Sequence, residues 1–234
     1  MAKRVPEGPP PAPVVQKLRV QYAKRGRLRF TSTRDFQRAL ERAVRRAEIP
    51  IAFSAGFHPH PRISYANAAA TGTASEAEYF ELALQRECDP EQVRIALDEA
   101  LPEGLDVIKV APAQGGSLAD SLQASDWRLQ FEGTDEAALA AALDVLLAQE
   151  RVEVTRMMKS GPRTFDVRSA IKKATAQGSV LEISLEHTTP SVRPDDVLSA
   201  LKQVSGIEFA RSPLTTRLRQ GTPHDDGLIA DPLA

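Results

Sequence analysis

An α+β fold repeated twice along one chain is what this sequence predicts, on three observations. Strand-like alternation and helix-like periodicity follow one another in the order strand, helix, strand, strand, helix, strand between Lys17 and Val110. Roughly the same order recurs between Trp127 and Phe209, without obvious identity to the first half. Between the two, Ala111–Ser125 is rich in Ala, Gly, Ser and Gln, lacks strong periodicity and reads as a linker.

Residues 1–15 carry five prolines and no aromatic, so a disordered or polyproline-like leader is expected there. Leu18, Val20 and Tyr22 alternate with Arg19 and Gln21, the period of a half-buried strand. Lys24-Arg25-Gly26 reads as a turn, after which Leu28 and Phe30 resume the alternation against Arg27, Arg29 and Thr31. Ser32 or Thr33 caps a helix whose Phe36, Ala39, Leu40, Ala43, Val44 and Ala47 recur at helical spacing. Pro50 ends that helix region. Ile51–Tyr65 is a long loop feeding a strand at about Arg62–Ala66, and Asn67–Ala77 is a second loop of small residues. Tyr79–Gln85 is a strand. An Asp-Pro start opens a helix from Pro90 through Leu101, and Leu105–Val110 is a further strand.

This order matches the split β-α-β, ferredoxin-like arrangement, with an extra hairpin at its start. In the second half Trp127, Leu129 and Phe131 alternate, and Thr134 caps a helix through about Ala148. Val152 and Val154 form a strand, and Thr164–Thr175 is a short basic segment. Val180–Glu186 is a strand, Pro194–Val204 a helix, and Ile207–Phe209 begins the last strand. The expectation is two tandem ferredoxin-like domains at 16–112 and 126–216, joined by a linker at 113–125, with a disordered tail over 217–234.

The 234 residues carry a formal charge of −1, which argues neither for nor against a polyanionic partner. The distribution argues more. Twelve Lys or Arg between Lys17 and Arg62 face only Asp35, Glu41 and Glu48, a balance of about +9. Seven between Arg151 and Lys173 face Glu153 and Asp166, about +5. Arg34, Arg38, Arg42 and Arg45 follow at intervals of three or four and line one helix flank, with Arg46 beside them. Arg19, Arg27 and Arg29 are expected on the helix-free face of the first sheet. Segregated charge of this kind concentrates counter-charged ligands, although a helix flank of arginines is also what an ordinary solvated face looks like. Aromatics on the open face are scarce, so phosphate contact is favoured over base stacking there.

Cys88 is the only cysteine, which excludes an intrachain disulfide and a Cys-rich zinc site. No apolar run approaches the roughly 20 residues that span a bilayer. No membrane association is expected, and a cytoplasmic protein is.

The most unusual string is Ser54-Ala55-Gly56-Phe57-His58-Pro59-His60-Pro61-Arg62. Two histidines flanking a proline can serve as acid and base, as metal ligands or as phosphate hydrogen-bonders, or can simply pack within a structured loop. A metal would need further ligands, for which Glu76 or Glu78 are the candidates. Gly72-Thr73-Ala74-Ser75 lacks the Gly-Lys-Ser/Thr ending of a phosphate loop.

Arg29-Phe30-Thr31-Ser32, Ser54-Ala55-Gly56-Phe57, Pro59-His60-Pro61 and Ser75-Glu76-Ala77-Glu78-Tyr79 together resemble the radical-SAM-linked protein family, a bacterial domain of unknown function. The resemblance covers about residues 16–215. It departs at Thr33, where relatives often carry histidine. It implies a partner, a separately encoded radical SAM protein, and no cofactor in this chain, whose single cysteine cannot hold an iron–sulfur cluster alone.

Three functions are compatible with these residues. The first is an accessory module that grips RNA, with Arg27, Arg29, Arg34, Arg38 and Arg62 on phosphates and Ser54, Gly56 and His60 shaping the pocket. The second is an enzyme acting on RNA or a phosphorylated substrate, with His60 as acid or base and Glu76 or Glu78 as its partner. The third is a structural partner that docks on the radical SAM protein.

Overall fold

The computed structural model describes residues 12–224 and 229–234. Most of the predicted leader therefore lies outside the described residues. The fold is a mixed α+β structure in which, among the described residues, four α-helices accompany mostly antiparallel strands. By packing it divides into two compact units, one up to Asp120 and one from Ser121 to Pro232.

The first unit runs β1 (Gln16–Lys24), α1 (Thr33–Arg46), β2 (Ile63–Ala66), β3 (Ala74–Leu84), α2 (Pro90–Ala100) and β4 (Val107–Pro112). β1 pairs with both β4 and β3, and β3 pairs with β2, all antiparallel, in the order β4-β1-β3-β2. The alternation of β1 decides its faces. Leu18, Val20 and Tyr22 join Phe80, Leu82 and Leu84 of β3 in a core closed by Phe36, Leu40 and Val44 of α1 and Val93 and Leu97 of α2. The rings of Tyr22 and Phe36 stack at 4.2 Å, which locks α1 onto β1.

The predicted opening hairpin is absent. Gly26 takes φ 52, and Gly26–Phe30 coils into a 3-10 turn. There Leu28 N–H bonds Arg25 O at 3.0 Å and Thr31 N–H bonds Leu28 O at 2.9 Å. Local i→i+3 bonds close where the alternation had suggested a ladder, because the left-handed glycine turns the chain before a second strand can pair. Arg27 and Arg29 consequently sit on this turn and not on the sheet.

The second unit runs β5 (Ala124–Gln130), α3 (Glu136–Leu147), β6 (Glu153–Met158), β7 (Gly161–Asp166), β8 (Ile171–Gln177), β9 (Val180–Glu186), α4 (Pro194–Ser205) and β10 (Leu214–Gly221). Its sheet has the order β10-β5-β9-β8, again antiparallel throughout. Val152 precedes β6 and Val154 lies in it. β6 pairs only with β7 in a separate ribbon, so the sheet strand between α3 and β9 is β8. The ribbon buries Val154 and Phe165 against the second core, alongside Trp127, Leu139, Leu143, Leu181, Ile183 and Val197. Asp135, and not Thr134, caps α3, its carboxylate accepting Ala138 N–H at 2.8 Å.

The last strand begins at Leu214, later than the Ile207–Phe209 start read from sequence, and continues through Gly221. Residues 217–221 therefore belong to a sheet and not to a tail. Arg217 and Gln220 are buried there, polar side chains that hid the strand from a reading based on apolar alternation.

Candidate functional site

The segment from Lys17 to Tyr79 places its charged side chains in three settings. The first is internal pairing. Arg19 does lie on the face of β1 opposite the helices, as its alternation predicts, but it is only 3 % exposed. Its Nε donates to Glu81 Oε2 at 3.3 Å, and its Nη2 donates to the carbonyls of Gly115 and Gly116, both at 3.0 Å. Those carbonyls belong to the segment predicted as a linker. Arg25 donates to both Glu76 oxygens and to Asp106 Oδ2. The hydrogen bonds that Arg25 donates to Glu76 lead the causes that hold its guanidinium more firmly protonated than usual.

The second setting is the entrance to α1. Ser32 is the N-cap, its Oγ accepting Asp35 N–H at 3.2 Å. Around this entrance sits a small, mostly apolar pocket lined by Tyr22, Lys24, Ser32, Phe36, Tyr65 and Glu78, among others. Lys24 is buried, and its Nζ donates to Thr31 O at 3.2 Å. Glu78, 1 % exposed, accepts the N–H of Ala69 at 2.8 Å and so pins the loop before β3. Burial pushes the Tyr65 hydroxyl well above its ordinary value, with the charge of Glu41 adding to the effect. Glu76 and Glu78 thus hold structure together. Neither makes a hydrogen bond or ion pair with His60 among the described residues.

The third setting is exposure without pairing. Arg34, Arg38, Arg42 and Arg45 are exposed on α1, and none forms an ion pair among the described residues. At 100° per residue they fall within about 80° of arc, turned away from Phe36, Leu40, Ala43 and Val44. Arg27 is exposed on the 3-10 turn. Arg29, half-buried beside it, donates to Gly26 O at 3.2 Å and stands 4.5 Å from the centroid of the exposed Phe30 ring. Arg62 is exposed where the long loop enters β2 and, with Lys17, Ser64 and Glu81, lines a shallow cleft of about 160 Å³.

The loop before β2 is closed by its own bonds. Ser54 N–H bonds His60 O at 2.9 Å, and His60 N–H bonds Ser54 Oγ at 3.0 Å. Gly56 adopts φ 127, a left-handed conformation that side chains rarely tolerate. His58 and His60 are exposed. No group of three or more His, Cys, Asp or Glu suited to a metal ion occurs among the described residues.

The structure thus brings Arg34 and Arg38 together on one helix and leaves Arg27 and Arg29 on the turn before it. Ser54, Gly56, His60 and Arg62 belong to a separate loop. Arg42 and Arg45, which complete the helix row, carry the same i, i+4 and i+3 spacing and were legible by it. A Ser–His pair in the second unit had no sequence signal. His187 Nε2 lies 2.7 Å from Ser125 Oγ, and its Nδ1 lies 2.7 Å from Leu122 O. Ser125 is completely buried, so its hydroxyl is closed to a substrate and the pair braces β5 against the end of β9.

No helix among the described residues is long and apolar enough to cross a membrane. Comparison with curated proteins finds no match to the chain. The family described as an uncharacterized protein conserved in bacteria (DUF2344) matches residues 17–194, three-quarters of the sequence, and the chain belongs to that family.

Proposed function

We propose that this protein is an accessory RNA-binding module that works with a separately encoded radical SAM enzyme in RNA modification. The observation that carries the reading is the row Arg34, Arg38, Arg42 and Arg45 on the solvent face of α1, unpaired among the described residues. Like charges at i, i+3 and i, i+4 oppose helix formation by a few tenths of a kcal/mol per pair. Carboxylates elsewhere in the chain do neutralise arginines, at Arg25, Arg94, Arg128 and Arg156. Arginines that form no ion pair among the described residues suit an external polyanion, whose phosphates screen their mutual repulsion on binding. The row extends about 16 Å along the helix at 1.5 Å per residue, enough to meet several phosphates.

The radical SAM partner rests on the sequence resemblance alone. The strand orders β4-β1-β3-β2 and β10-β5-β9-β8 support a reading of each unit as a ferredoxin-like split β-α-β fold, with the β6–β7 ribbon inserted in the second.

The test is RNA binding by fluorescence anisotropy over a salt series. Binding that weakens linearly in log–log form supports the reading, with the slope falling by just under one for each arginine removed from α1. No affinity at low salt, or affinity indifferent to salt, would sink it.

A further inference from the structure

We infer that the loop from Ser54 to Pro61 is a stacking finger that takes an unpaired RNA base on the ring of Phe57. The inference rests on the RNA-binding reading and adds to it what kind of RNA is held and where.

The base of this loop is built into the first sheet. Ala52 N–H bonds Ala83 O at 2.7 Å, Arg62 N–H bonds Ala52 O at 2.8 Å, and Ala83 N–H bonds Arg62 O at 3.1 Å. Phe53 and Pro61 then pair as an isolated bridge, and Ser54 and His60 close the neck through two hydrogen bonds. Beyond that neck only Ala55, Gly56, Phe57, His58 and Pro59 remain, all of them exposed. Gly56 has nothing within 4 Å of where a Cβ would stand, so space does not require glycine there. Its φ of 127 does. The turn is set by backbone geometry, and Pro59 and Pro61 restrict it further.

The loop presents an aromatic ring that it does not use. Phe57 is 60 % exposed and makes no ring contact with another aromatic among the described residues, whereas Tyr22, Phe36, Tyr65 and Phe80 of the same unit all do. A single exposed phenylalanine is unremarkable on a mobile surface. Here the neck behind it is closed by two hydrogen bonds and Pro59 restricts the backbone of the tip, which lowers the conformational entropy that a stacking ligand must remove.

The surroundings favour a nucleobase over a protein pocket. No carboxylate occurs between Ile51 and Arg62, the exposed His58 and His60 share the loop with Phe57, and Arg62 is exposed just past its neck. A base brings its phosphate with it, which offers the Arg62 guanidinium a counter-charge and the imidazoles a hydrogen-bond acceptor. A protein pocket for phenylalanine is apolar and would leave them unanswered. Bases inside a duplex have no free face, so the ligand is single-stranded or looped RNA.

The experiment uses the full chain with a short mixed-sequence RNA as a single strand and as the same strand annealed to its complement, over a salt series. Phe57→Ala is expected to weaken single-strand binding about 5- to 150-fold, the range seen for loss of one base–aromatic stack. The log–log salt slope stays unchanged, because no charge is lost. Duplex binding stays unchanged as well, and Phe57→Tyr restores the single-strand affinity. In the control, Arg38→Gln with Arg42→Gln lowers the salt slope. Single-strand binding that depends on the arginines but is equal in wild type and Phe57→Ala overturns the finger and leaves the RNA reading standing. Equal weakening of single strand and duplex also overturns it, since the loop would then be a backbone contact. Absence of binding by the wild-type chain removes the RNA reading itself, and the finger with it.

Discussion

Arg19 faces Glu81 across the β1–β3 ladder at 3.3 Å, with both side chains nearly closed to solvent. A residue that sequence alternation assigns to an open, ligand-facing surface is thereby a structural ion. Glu81 also holds Lys17 at 2.9 Å, so it is shared between one buried and one exposed cation. Glu81→Ala leaves the Arg19 charge buried with only two backbone carbonyls, and a loss of about 3–5 kcal/mol is expected from breaking a buried pair. Lys17→Ala removes an exposed partner and should change stability by less than about 1 kcal/mol. Urea denaturation of both variants checks the ranking.

The arginines of α1 should behave in the opposite way. Arg38→Gln with Arg42→Gln relieves like-charge repulsion and touches no ion pair among the described residues. Stability is expected to hold within about 0.5 kcal/mol or to rise slightly. Polyanion affinity should fall. A stability loss as large as that of Glu81→Ala would place these arginines in the fold and not in an interface.

Acid should weaken the second unit before the carboxylates titrate. Burial lowers the pKa of His187 below its usual 6.5, the carbonyl of Leu122 opposes this, and the Arg217 charge adds to it. A histidine whose folded pKa is depressed takes up a proton more readily when unfolded. Its contribution is therefore complete above about pH 6.5 and is lost as pH falls from there through the lower folded value. His187→Gln should flatten this limb of the pH–stability curve. A wild-type curve that is level between pH 7 and 5 would contradict the assignment.

Gly104 tests the support of the 3-10 turn. It adopts φ 90, and a Cβ there would stand 3.1 Å from Arg25 O. Its own carbonyl accepts Arg25 N–H at 2.8 Å. Gly104→Ala is expected to destabilise by about 1–3 kcal/mol, the range for a side chain forced into a left-handed conformation. Thermal unfolding measures it.

Much of the fold was legible because its signals are local. Pro90 opened α2 and Pro194 opened α4, and Val180–Glu186 formed the strand that its alternation predicted. Misreadings arose where local pattern competed with something else. Leu28 and Phe30 alternate like a strand, but Gly26 turns the chain first. β10 carries Arg217, Arg219 and Gln220 among few apolar residues, so its membership in a sheet had no hydrophobic signature. The β6–β7 ribbon alternates like a sheet strand but has only its own hairpin partner.

The sequence alone determined the order of elements, their recurrence in two halves and the alignment of four arginines on one helix flank, since each depends on spacing within a dozen or so neighbours. Tertiary structure decided which cations stay available. Arg19 meets Glu81 from 62 residues away and Arg25 meets Glu76 from 51, contacts that exist only once β1 has been laid beside β3 and the chain has closed around them. Whether a guanidinium is neutralised depends on a carboxylate within about 4 Å in space, and spacing along the chain carries no information about that distance.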